Sequence, residues 1–128
     1  MILDTSALIA ILFKEPGYET IFEKLASAEI ILIGAPTLAE TGIVLRARLG
    51  RQSPGMLERF LREFMVVTVP FGEEHWQEAV KAYGTFGKGQ HPAALNFGDC
   101  MTYAVARLAA HPLLYVGEDF SKTDLQIA

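Results

Sequence analysis

Four acidic residues stand apart from the rest by where they fall in the chain. The 15 acids of the sequence comprise eleven glutamates and four aspartates, Asp4, Asp99, Asp119 and Asp124. Most of the glutamates sit on polar helical faces, where solvation accounts for them. Asp4 in MILDTSALIA, Glu40 in APTLAETGIVL, Asp99 in NFGDCMTYAVARLAA and Asp119 in VGEDF are not explained that way. Carboxylates gathered at one place repel one another unless hard cations neutralise them, and Mg²⁺ or Mn²⁺ with oxygen ligands suits such a donor set. Two such ions roughly 3.5–4 Å apart can activate a water and stabilise the leaving oxygen of a phosphodiester.

Each residue also has a plainer reading. Asp4 ends the first apolar run, at the carboxyl end of a strand where open parallel sheets bind ligands; it is equally a preferred N-cap for the helix that follows. Glu40 falls in a helix whose Leu38, Gly42, Leu45 and Leu49 share one face, and it lies opposite them with Ile43 and Ala47. Thr37-Leu38-Ala39-Glu40 has the form of a capping box, a register that fails if Pro36 is the first helical residue; both readings of Glu40 stay open. Asp99 gives the strongest signal. Phe97, Met101, Ala104, Val105 and Leu108 form an apolar stripe, while Asp99 shares the far side with Tyr103, Ala106 and Ala110. A helix apolar nearly all round is buried, and a buried carboxylate needs a partner. The helix N-terminus softens the cost through its dipole, and a cation would meet it. Asp119 is a turn former by type, given weight by following the last strand.

The elements that must position these groups alternate along the chain. Ile2–Asp4 reads as a short strand, followed by helices over 6–13 and 18–28. An apolar run at 30–33 has the pattern of a buried strand. Pro36 opens a helix that Gly50 stops after Leu49, and Ser53-Pro54 starts another. Residues 65–69 are strand-like, 73–86 helical, and 97–110 strongly helical after the loop GKGQHPAALN. A strand at 113–116 precedes the polar stretch GEDFSKTD. Strands separated by helices imply parallel crossovers, and so a mostly parallel sheet of four or five strands between helical layers. Without an internal repeat or a linker, residues 1–128 read as one domain.

Composition sets further bounds. Apolar residues make up 51% and charged residues 20%, as in a folded globular chain. No apolar run reaches the ~18 residues of a membrane span, the start lacks a secretory pattern, and one cysteine cannot form an internal disulfide; the expected compartment is cytoplasmic. The net charge of −4 argues against a generic polyanion binder. Its distribution is uneven, since residues 46–62 hold Arg46, Arg48, Arg51, Arg59 and Arg62 against Glu58 alone. Such a stretch is a solvated helix face or a face that guides an anionic chain toward an acidic site. Cys100 reads as a small core residue, Trp76 as core or interface, and His75, His91 and His111 lack ligand spacing. GTFGKGQ fails as a phosphate loop because Gly89 follows Lys88.

MILDTSALIA, Glu40 after the second strand, NFGDC opening a late helix and LLYVGEDF near the end together resemble a PIN domain, with VapC-type toxins the nearest branch. The resemblance covers essentially the whole chain, as a single PIN domain over 1–128. It implies a three-layer α/β sandwich and an Mg²⁺- or Mn²⁺-dependent endoribonuclease. Asp4, Glu40 and Asp99 match the family's acidic metal site, and Ser6 matches the hydroxyl residue that bonds a ligand carboxylate. It also implies a homodimer and a small VapB-type antitoxin lying over the active site. One departure stands out: where many PIN domains place a fourth acid after the last strand, this chain has Gly117. Asp119 is then the nearest acid and Asp124 a weaker substitute. Two other functions compete, a PIN-like module that binds RNA or a partner without cutting and a phosphotransferase using Asp4 as nucleophile. The latter chemistry needs a second aspartate two residues on, where this chain has Ser6.

Overall fold

The computed structural model describes residues 1–128. The first strand, β1 (Ile2–Leu3), leads into α1 (Thr5–Leu12) and α2 (Tyr18–Ala26). β2 (Leu32–Gly34) is followed by α3 (Ala35–Leu49), a 3₁₀ turn at Gly50–Gln52 and α4 (Ser53–Glu63). β3 (Val67–Val69), α5 (Glu73–Phe86), α6 (Phe97–Ala109) and β4 (Leu113–Leu114) complete the regular elements, with a second 3₁₀ turn at Phe120–Lys122. The four strands form one parallel sheet in the order β3-β2-β1-β4. A single parallel bridge from Leu113 to Ile127 lays the end of the chain along the β4 edge.

Pairing in register builds the two helical layers. Ile2 lies opposite Leu113 and Leu3 opposite Leu114. Successive strand residues face opposite sides of a sheet, and accordingly Ile2 and Leu113 join one core with Leu95, Val105 and Phe120 under α5 and α6. Leu3 and Leu114 join the other, with Leu8, Leu25, Ile33 and Phe60, under α1, α2 and α4. Strands covered on both faces are apolar throughout rather than alternating, which is why β1, β2 and β4 were legible as short apolar runs, whereas edge strand β3 leaves Val67 and Thr68 exposed. The three-layer α/β sandwich is the architecture expected.

Several boundaries moved. The strand expected at 65–69 starts at Val67, because Met65 takes a left-handed φ of 50° and is 82% exposed. The strand expected at 30–33 is displaced to Leu32–Gly34. The face of α6 is also corrected: Phe97 is 80% exposed and Leu108 is exposed, while Tyr103 and Ala106 are buried with Ala104 and Val105. The packing of α5 along α6 explains the rotation, since Ala79 and Ala82 share the core that takes Tyr103 and Ala106.

Close packing at one glycine sets the geometry of the site. Gly34 ends β2 and caps α3, and a Cβ there would lie 2.7 Å from Val105 Cγ2. Its φ of −67° is ordinary, so clearance for α6 is what the missing side chain provides. α3 and α6 thus approach each other beside the carboxyl end of β1.

Candidate active site

Asp4 follows β1, and its backbone N–H still donates to Leu114 C=O in the ladder. The side chain caps α1: Oδ2 accepts from Ser6 N–H at 3.1 Å and from Ser6 Oγ at 2.6 Å. Oδ1 accepts from Thr102 Oγ1 at 3.0 Å. The cap reading therefore holds, with Oδ1 left outside the cap. Asp4 is only 7% exposed, a buried carboxylate that accepts from two hydroxyls and an amide. Ser6 Oγ in turn accepts Val116 N–H, tying α1 to the chain just beyond β4.

Glu40 projects from the second turn of α3 toward the same place. The capping-box reading fails because α3 starts at Ala35 with Gly34 as its cap. Glu40 Oε1 instead accepts from Thr5 Oγ1 at 2.7 Å. Its other oxygen lies against α6, where a Cβ on Gly98 would come within 2.6 Å of Oε2. Glycine at 98 therefore lets the α3 carboxylate sit beside the first turn of α6.

Asp99 occupies that turn and closes a reciprocal box with Asn96. Asn96 N–H donates to Asp99 Oδ2 at 3.1 Å, and Asp99 N–H donates to Asn96 Oδ1 at 2.9 Å. Partial burial raises its carboxyl pKa to about 6 against the Asn96 hydrogen bond, helped by the charges of Asp4, Asp119 and Glu40. Asp99 is thus the carboxylate on which the charges of the other three act. The same burial, with Asp99 alongside, pushes the Cys100 thiol up to about 11, so this core cysteine is inert at neutral pH.

The remaining acids separate clearly. Asp119 is exposed in the loop after β4 and faces the group closely enough to raise Asp99. Asp124 lies elsewhere, accepting from Tyr103 Oη at 2.7 Å and from Arg107 at 3.2 Å. Gly117, where an acid was expected, has a φ of 112°, a conformation that disfavours any side chain. No basic side chain pairs with Asp4, Glu40, Asp99 or Asp119; the two ion pairs of the molecule are Lys81–Glu78 and Arg107–Asp124.

As a cation site the donor set fits in chemistry, being all oxygen and uncompensated. No three of the His, Cys, Asp and Glu side chains lie close enough together to form a ready-made cluster. Mutual repulsion and the exposure of Glu40 and Asp119 account for that spread. The threonines at 5, 37, 41 and 102 were not singled out from the sequence, although each bonds within this network. A hydroxyl predicted to be buried on an otherwise apolar helix, as Thr102 is, was the available signal.

Two neighbouring surfaces complete the picture. Arg46, Arg48, Arg51, Arg59 and Arg62 are all exposed, and Arg48 stacks over the Phe13 ring at 4.9 Å. An apolar cleft of about 530 Å³ between α5 and α6 is lined by Trp76, Val80, Tyr83, Phe97 and Met101 among others. Trp76 is thus a half-exposed cleft residue. His75 and His91 accept backbone amides through Nδ1 and are local caps. No helix is long and apolar enough to cross a membrane.

Comparison with known proteins agrees with this geometry. The PIN domain family model matches residues 1–125. The chain is 46% identical over 127 residues to ribonuclease VapC36 of Mycobacterium tuberculosis, covering 98% of this chain and 91% of that protein. It is 38% identical over 125 residues to ribonuclease VapC30 of the same species, covering 98% and 95%. Among solved structures, M. tuberculosis VapC20, described as a sarcin-ricin loop cleaving toxin, superposes with a TM-score of 0.80 at 18% identity, over 99% of this chain and 97% of that one. VapBC2 of Rickettsia felis, bound to a DNA fragment from its promoter, gives 0.77 at 19% identity, over 98% and 94%. Sheet order, the strand-end aspartate and relatives matching nearly end to end converge: this chain belongs to the PIN-domain family, among its VapC ribonucleases.

Proposed function

We propose that the protein is a metal-dependent endoribonuclease, the toxin of a VapBC-type pair, which hydrolyses RNA phosphodiester bonds. The observation that carries this reading is that Asp4 after β1 and Glu40 on α3 stand near enough to Asp99 on α6 to act on its charge, with no basic partner among them. Asp4, Glu40 and Asp99 would hold Mg²⁺ or Mn²⁺, with Asp119 completing the acidic group from the loop. A cation bound there supplies charge neutralisation at the phosphodiester and acidity to a coordinated water.

The chain's own residues do the remaining work. Ser6 and Thr102 hold the Asp4 carboxylate, and Thr5 holds that of Glu40. Asp99 Oδ2 is oriented by Asn96 N–H, leaving Oδ1 free of hydrogen bonds within the chain. The exposed arginines of Arg46–Arg62 begin on the helix that carries Glu40 and attract the RNA backbone by charge. A VapB-type antitoxin and a second copy of the chain are the partners of this reading, and light scattering of the purified protein tests the homodimer.

Cleavage of RNA should appear with Mg²⁺ or Mn²⁺, vanish with chelator and return on adding metal back. Asp99→Asn should be inactive while retaining the native circular dichroism spectrum. Chelator-resistant cleavage, or full activity in Asp99→Asn, would overturn the assignment.

A further inference from the structure

Four threonine hydroxyls lie between α1, α3 and α6, and three of them are essentially buried: Thr37 is 3% exposed, Thr41 0% and Thr102 1%. Burying a hydroxyl is costly unless it is hydrogen-bonded, and no buried side-chain oxygen or nitrogen here lacks a partner. The proton directions follow from chemistry. A hydroxyl has one proton and an ionised carboxylate only accepts. Thr102 therefore donates to Asp4 Oδ1 at 3.0 Å, and Thr37 Oγ1, 2.9 Å away, must donate to Thr102. Hydroxyls linked this way polarise one another in a low-dielectric interior.

Thr102 does not follow the common habit of a helical threonine. Such a side chain often bonds back to the carbonyl three or four residues earlier. Thr41 does so, donating to Thr37 C=O at 2.8 Å. Thr102 turns from its own helix to reach a residue 98 positions away. The consequence falls on Asp4. A carboxylate offers about four acceptor sites; Ser6 takes two on Oδ2 and Thr102 one on Oδ1. One acceptor site then remains, on Oδ1.

We propose that Thr102, supported by Thr37, is a positioning residue that orients Asp4 so that Oδ1 offers its remaining lone pair to a divalent cation. This rests on the metal-dependent reading above and adds to it a buried hydroxyl pair joining α3, α6 and the strand-end carboxylate. Outer partners of ligand carboxylates typically change metal affinity by about 10–100-fold when removed.

The test uses full-length Thr102→Val, Thr102→Ser and Thr37→Val beside wild type, with Mn²⁺ binding to the chelator-stripped protein followed by electron paramagnetic resonance. Valine keeps the branched shape of threonine and puts a methyl group in place of the hydroxyl. Thr102→Val should weaken Mn²⁺ binding by about 10-fold or more, and Thr102→Ser should restore it to within a few-fold of wild type. RNA cleavage by Thr102→Val should need correspondingly more Mn²⁺ to reach half its maximum. Thr37→Val should show a smaller loss in the same direction, which keeps the inference testable should Thr102→Val fold poorly. Wild-type Mn²⁺ affinity in Thr102→Val, equal weakening by the serine variant, or no change in Thr37→Val with Thr102→Val misfolded would each overturn it. Failure of wild type itself to bind Mn²⁺ or to cleave would instead remove the metal-dependent reading, and this inference with it.

Discussion

The two ends of α6 treat an aspartate in opposite ways. Near the C-terminal end, Asp124 is exposed and matched by the Arg107 guanidinium at 3.2 Å and the Tyr103 hydroxyl at 2.7 Å. At the N-terminal end, Asp99 is half-buried, feels the charge of three other carboxylates and has no basic side chain beside it, and its pKa rises to about 6. The first arrangement is what a chain does with an acid that serves packing: neutralise it on the surface at little cost. The second costs stability and brings no structural return beyond a helix cap. An unfavourable group of acids held in place by neutral hydroxyls is the expected signature of a site completed by something from outside the chain.

The sharpest test of that contrast is to remove the charge at each end. Asp99→Asn should lower RNA cleavage by about 10³-fold or more, since several kcal/mol of charge stabilisation depends on it. The same variant should be more stable than wild type in chelator at pH 7.5. The sign follows from the raised pKa: between about pH 4 and 6 the unfolded chain releases a proton that folded Asp99 keeps, so stability falls as pH rises through that window. Discounted for partial exposure, the gain is on the order of 1 kcal/mol, or a few degrees in melting temperature. It should vanish near pH 4, and a variant less stable at both pH values would break the contrast.

Next in size is Gly98→Ala. The added Cβ displaces the Glu40 carboxylate from its place 2.6 Å away, and Glu40 is free to swing outward. Cleavage should fall about 10–100-fold through misplacement of the carboxylate, while melting temperature stays level or rises slightly, alanine being the better helix former. Steady-state cleavage and thermal melts of the same preparation decide it.

Asp119→Asn should reduce cleavage by about 10-fold, as loss of an outer charge does, and titration of Asp99 by NMR should move toward the ordinary carboxylate range. Asp124→Asn is the smallest effect: cleavage unchanged, and stability lowered by less than about 1 kcal/mol because its ion pair is solvent-exposed. A reversal of these two results would transfer the fourth acid from Asp119 to Asp124.

Much of this was legible from local pattern. The helix expected over 73–86 is α5 to the residue, and the alternation of apolar runs with helical periods carried the parallel sandwich. Asp4 could be placed at a strand end because ILD is short and apolar. Reading Asp99 as buried held only in part, since it is half-exposed, and it rested on the wrong stripe: Phe97 is exposed, because periodicity shows which residues share a face but not which neighbour covers it. Glu40 stayed divided between a cap and a site until Gly34 took the cap and Thr5 the carboxylate.

Residue types and their order thus determined the elements and the short list of acids, because hydrophobic period, caps and breakers act over a few positions. Only the tertiary structure decided which acids meet. Asp119 rather than Asp124 faces Asp99, Gly98 makes room for Glu40, and Thr102 reaches Asp4 from 98 residues away. Those outcomes depend on the approach of α3 to α6 over Gly34, a contact between distant segments that no local pattern encodes.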